Sequence, residues 1–181
     1  MQTFISILRG INVSGQKKIV MTDLKALYEN LGFEDVVTYI QSGNVIFKTG
    51  KKIADTELAA VIEQAIFEKY KFHVPVITRT AEEIKQVISI NPFVKDKAVD
   101  TEKLHVTFLS QEPSQAALEN ARTFDYPPDK FVIIGKEVFL HCPINYGETK
   151  LSNKFFESKL KVSATTRNWK TVNKLCEIAN Q

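Results

Sequence analysis

Apolar residues change their spacing several times along the chain, and each change predicts an element. From Thr3 to Arg9, Ile5 and Ile7 alternate with Ser6, the period of a strand. Leu24, Leu27, Tyr28 and Leu31 then recur at helical spacing across Thr22 to Leu31, and Gly32 ends that helix. Val36 to Gln41 and Asn44 to Thr49 are β-branched and aromatic runs separated by Ser42-Gly43, which predicts a two-residue hairpin. A second helical stripe, Leu58, Val61, Ile62, Ala65 and Ile66, follows a cap at Asp55, and His73 to Thr78 reads as a strand. Residues 1–79 therefore form a first subdomain with the order βαββαβ.

The remainder, 80–181, yields to the same reading. Thr80 and Glu83 have the spacing of a capping box, opening a helix that stops before Asn91-Pro92 because the residue preceding proline is pushed out of helical geometry. Strands are predicted at Leu104 to Leu109, Lys130 to Ile134 and Glu137 to Cys142, with Gly135-Lys136 turning the last pair. Pro113 to Arg122 reads as a helix with proline in its first turn, and helices at Ser152 to Leu160 and Thr166 to Ala179 close the chain. This second subdomain reads αβαββαα, without a final strand. Together the blocks describe an α+β protein of two ferredoxin-like subdomains (alpha-beta plaits), a divergent duplication with an extra C-terminal helix.

Strand direction supplies the functional expectation. A βαβ crossover makes its strands parallel and a hairpin makes them antiparallel, so the loop Arg9-Gly10-Ile11-Asn12 belongs at the same sheet edge as the turn Gln41-Ser42-Gly43-Asn44. There Arg9 offers a guanidinium fork, Asn12, Gln41 and Asn44 offer amides, Ser42 a hydroxyl, and Lys17 and Lys18 a further charge. With a helix start close by, this set suits a small polar or anionic ligand. The competing reading gives both glycines to turn geometry and pairs Arg9 with Glu34 or Asp35.

Composition narrows the classes. In a chain of 181 residues, apolar residues make up 44% and charged residues 25%, near globular averages. No apolar run approaches the ~20 residues of a membrane span, and the start lacks a secretory pattern, so a soluble cytoplasmic protein is expected, with no membrane partner. Cys142 and Cys176 read as small buried side chains, not as a disulfide framework. His105 and His141 sit on strands expected to pair, without a third ligand at diagnostic spacing, so no metal and no cofactor is assigned. The net charge of +3 permits anionic partners, and the basic tail from Lys150 to Lys174 makes RNA or other nucleic-acid phosphate the less favoured alternative. Phe4 suggests half of a base-stacking platform, but the third strand shows Asn44, Ile46 and Lys48 where its second half belongs. A third reading, a protein-interaction module, requires an uncovered apolar sheet face. No catalytic signature is present, so the question of enzyme activity stays open.

Three segments, Leu8 to Val13, Thr38 to Val45 and Ala164 to Val172, resemble the domain-of-unknown-function family numbered 1697 along nearly the whole chain. Ser14 stands where that family often has glycine. The resemblance implies two ferredoxin-like halves and no established activity. It also singles out a third segment, residues 165–169, read as the start of the final helix with Thr166 as its N-cap. Arg167 and Asn168 are expected there, joining Arg9 and Gln41 if that helix reaches them.

Overall fold

Two antiparallel sheets of four strands, each packed with helices, carry the regular structure of the computed structural model, which describes residues 1–181. The chain divides into a first unit of Met1–Lys85 with Leu175–Gln181 and a second unit of Gln86–Lys174.

In the first unit, β1 (Gln2–Leu8), α1 (Met21–Asn30), β2 (Glu34–Tyr39), β3 (Asn44–Thr49), α2 (Asp55–Tyr70) and β4 (Val76–Thr80) give the sheet order β2-β3-β1-β4. β3 is antiparallel to both β1 and β2, so β1 and β2 run parallel with β3 between them, the split βαβ arrangement. Alternation along β1 and β3 sends Phe4, Leu8, Val45 and Phe47 into one core with Leu24 and Tyr28 of α1 and Leu58 and Ile62 of α2. Phe33 stacks on Phe47 at 4.5 Å, and Tyr28 meets the same ring edge-on at 5.3 Å. The Tyr28 hydroxyl lies 2.5 Å from Ser6 Oγ, so this buried polar tip has a partner. Burial holds its pKa well above the usual tyrosine range. Phe4 is thus a core residue and not a base-stacking one. Ile5, Ile7, Ile46 and Ile77, on the opposite face, are buried too.

α3 (Ala81–Ile90) follows β4 without a break. The capping box is present as read: the Thr80 N–H donates to Glu83 Oε2 at 2.8 Å and the Glu83 N–H to Thr80 Oγ1 at 3.1 Å. Asp55 differs from expectation, being the first residue of α2, whose N-cap Ala54 provides no side-chain bond. Tyr39 pairs directly with Asn44, so the hairpin turn has four residues, Ile40 to Gly43, and not two.

The second unit contains β5 (Leu104–Leu109), α4 (Gln115–Arg122), β6 (Lys130–Ile134), β7 (Glu137–His141), α5 (Asn153–Leu160) and β8 (Ala164–Asn168), in the order β6-β7-β5-β8. α6 (Trp169–Ala179) ends the chain. The topology matches that of the first unit strand for strand. Leu109, Val138, Leu140, Cys142, Phe156 and Leu160 share its helix-side core. α4 begins after Ser114, whose Oγ accepts from the Ala117 N–H, leaving Pro113 outside the helix.

β8 is the main correction to the sequence reading. Ala-Thr-Thr-Arg-Asn shows little apolar alternation, and Thr166 ahead of Trp169 imitates a helix cap. The segment becomes a strand through tertiary pairing with β5, from His105↔Asn168 to Leu109↔Ala164. Thr166 Oγ1 donates to Asn153 Oδ1 at 2.7 Å, while Asn168 caps α6 by accepting from the Thr171 N–H at 2.8 Å.

Candidate functional site

The end of β1 and the 40–43 turn meet. The Leu8 N–H donates to the Gly43 carbonyl at 2.8 Å, and a Cβ built on Gly43 would lie 2.6 Å from Ile11 Cδ1 and 2.8 Å from Leu8 Cβ. Gly43 is therefore required twice, by this close approach and by its φ of +83°. Asn12 joins the segments from the side: its Nδ2 donates to the Gln41 carbonyl at 2.9 Å and the Ile19 carbonyl at 3.0 Å, and its Oδ1 accepts from the Ile19 N–H at 2.9 Å.

Left-handed backbone is concentrated here. Gly10, Asn12, Ser14, Gly15 and Lys17 have positive φ, as does Ile40 in the facing turn. Ser14, Gly15, Gln16, Lys17 and Lys18 are exposed, so these turns form a rim and not a core. Lys17 Nζ donates to the His73 carbonyl at 2.6 Å, and the His73 ring stacks on Phe67 at 4.4 Å. Arg9 is half-buried, with its N–H donated to the Pro75 carbonyl at 3.0 Å. Asp35 pairs with Lys48 at 2.8 Å. α1 starts nearby at Met21 with no side-chain cap on its first-turn amides.

The expected residues divide by role. Gln41 is exposed and Ser42 half-buried on the rim. Asn44 is buried in β3, with Nδ2 donating to the Tyr39 carbonyl and to Ser42 Oγ, so its amide shapes the turn. Asn12 has the same internal duty. No pattern of residue types announced the left-handed run at 10–17, since three of its five members are not glycine.

The family model described as protein of unknown function (DUF1697) matches residues 1–139. The chain belongs to the DUF1697 family. That match contains both rim segments and ends before β8, so Arg167 and Asn168 lie outside it. A solved structure, that of the conserved bacterial protein SP0830 from Streptococcus pneumoniae, is 21% identical, covers 98% of each chain and superposes with a TM-score of 0.69. This likeness is one of fold. No curated protein matches.

Arg167 does not sit at a helix start. It lies in β8, 9% exposed, with one guanidinium nitrogen donating to the Thr166 carbonyl at 3.0 Å. Burial pulls its pKa down to about 10, which keeps it charged at neutral pH. Arg79 repeats the arrangement in β4 of the first unit, donating to the Thr78 carbonyl at 2.9 Å. Asn168 is exposed and engaged as the cap of α6.

The histidines also separate. In the β5–β7 register His105 lies opposite Leu140 and His141 opposite Leu104, and their rings stack or tilt against Tyr146 and Phe93 respectively. Burial lowers the His105 pKa. Cys142 is buried and its thiol is pushed up to about 11, while Cys176 is half-buried and also raised; neither has the microenvironment of a reactive thiolate. No helix is long and apolar enough to cross a membrane. The second unit carries two surface pockets that no motif signalled: about 250 Å³ beside Tyr126, Asp129 and Thr149, and about 460 Å³ beside Phe124, Phe131 and Arg122.

Proposed function

We propose that the protein binds a small polar or anionic ligand on the rim of its first unit. The observation that carries this reading is the tie made by Asn12 between the 10–18 loop and the Gln41 carbonyl, which gathers left-handed backbone, Gln41, Ser42 and the exposed Lys17 and Lys18 at one edge. Backbone that alternates in handedness turns successive N–H groups into anion-binding concavities. Arg9, Lys17 and Lys18 supply positive charge, Gln41 and Ser42 orient the ligand, and Asn12 and Asn44 hold the rim's shape. The reading rests on the first-unit residues alone; Arg167 in β8 and Asn168 at the α6 cap, named with them from the sequence, are not needed for it.

Two finer points belong to the same proposal. Cytoplasmic placement is the sequence expectation, and two free cysteines are consistent with a reducing compartment. Duplication is supported by matched details: Lys71 and Lys161 are left-handed caps ending α2 and α5, and Arg79 and Arg167 occupy the same position of the strand that follows.

A thermal-shift screen against phosphate- and carboxylate-bearing metabolites tests the reading. A ligand at about 100 times its Kd stabilises by about 2.7 kcal/mol, which raises Tm by several degrees. Arg9→Ala is expected to abolish that rise while leaving the Tm of the ligand-free protein near wild type. If no metabolite shifts the melt and single-stranded RNA does, with a steep salt dependence, the nucleic-acid alternative replaces this one.

A further inference from the structure

Each four-stranded sheet has two edges; side chains cap outward backbone groups on two of the four, β4 and β8, and a bulge interrupts a third, β2. On β4, Glu63 Oε1 accepts from the Val76 N–H at 2.7 Å, Glu83 takes the Thr80 N–H, and Arg79 covers the Thr78 carbonyl. On β8, Glu157 Oε1 accepts from the Ala164 N–H at 3.1 Å and Arg167 covers the Thr166 carbonyl. β2 is broken by a register shift between Glu34 and Val37, with Asp35 left-handed at φ 50° and paired to Lys48. Charged bulges of this kind are how edge strands discourage pairing.

β6 has none of these protections. Its register with β7 runs unbroken from Lys130↔His141 to Ile134↔Glu137, and Phe131 to Ile134 carry no charge. Ile134 and Glu137 flank the two-residue turn and share its ladder bonds, so alternation points the N–H and C=O groups of Phe131 and Ile133 outward. No side chain takes them. Val132 and Ile134 are 37% and 38% exposed on one face of this strand, and the groove of about 460 Å³ lined by Phe124, Arg122 and Phe131 runs beside it.

We infer that β6 is a docking edge for a second copy of this chain, paired antiparallel about a two-fold axis at Val132. The sequence of β6 is its own complement in that register. Phe131 faces the partner's Ile133, and the outward groups of this pair and its symmetry mate close on each other. Lys130 faces the partner's Ile134, so no like charges oppose. Asp129 falls beside the partner's Lys136, and the same acid–base neighbour recurs at the other end. Phe131 and Ile133 of both copies then share the groove side, while Val132 and Ile134 extend one apolar stripe across the axis.

Sedimentation or light scattering of the full chain over a range of concentrations, together with hydrogen exchange, tests this. The expected result is a dimer at micromolar concentration, with the Phe131 and Ile133 amides exchanging at least tenfold more slowly than in dilute protein. Val132→Lys places two ammonium groups at the axis and is expected to give a monomer whose melt in dilute solution matches wild type. Lys136→Asp puts like charges beside Asp129 and is expected to weaken the dimer without abolishing the fold. A chain that stays monomeric with open exchange at both amides overturns the inference. So does a dimer that survives Val132→Lys with those amides still open, or protection of the two amides only when an unrelated apolar peptide is added to monomer.

Discussion

Asn12 sits at φ 55° and gives both halves of its amide to neighbouring loops, so two costs coincide when it is replaced. Alanine removes three hydrogen bonds from a half-buried site, each worth on the order of 1 kcal/mol, and dislikes left-handed backbone by about another. After discounting for solvent, Asn12→Ala is expected to destabilise by about 2 kcal/mol, a fall in Tm on the order of 5 °C. Asn12→Gly recovers the conformational part and is expected to lose less. Chemical denaturation of both variants decides the matter, and equal stability of Asn12→Ala and wild type removes the staple. The sequence marked Asn12 as polar and near the turn. That its amide faces inward follows from the Gln41 and Ile19 backbone groups beside it, which come from separate stretches of chain. Asn44 was misread for the same reason: an amide looks identical in sequence whether it meets a ligand or a carbonyl.

At the scale of elements, β4 and β8 show how helices guard sheet edges. Glu63 on α2 and Glu157 on α5 each reach the first outward amide of the strand that follows. Glu63→Ala is expected to leave the Val76 N–H without its protein acceptor, with a loss of about 1–2 kcal/mol and faster exchange at that amide. Exchange at Val76 that matches wild type would show that the carboxylate adds nothing there. Helices and hydrophobic strands were legible because their periods of about 3.6 and 2 are local properties. β8 was not, because Ala-Thr-Thr-Arg-Asn has no period of its own and becomes a strand only when β5 provides the ladder. The capping box at Thr80 was read correctly, since both partners lie within one turn. Asp55 and Thr166 resembled caps by residue type alone, and the caps fell at Ala54 and Asn168.

For the whole molecule, acid stability is coupled to the second unit through His105. Its pKa is lowered chiefly by burial, so the folded state binds fewer protons than the unfolded chain below about pH 6.5. Its contribution is complete above that pH and is lost as pH falls through the folded value. His105→Gln is therefore expected to shrink the stability difference between about pH 7.5 and pH 5; an unchanged difference in urea titrations rules His105 out as a source. By itself, the sequence determined the strand and helix order of the first unit, the parallel course of β1 and β2 and hence the shared edge of two polar loops, since these follow from local periodicity and from the handedness of short connections. Only the tertiary structure decided the inward turn of Asn12 and Asn44, the burial of Arg79 and Arg167, the strand at 164–168 and the bare edge of β6. Each of these depends on which backbone groups from distant parts of the chain are left to be satisfied, and that accounting closes only when the sheets are assembled.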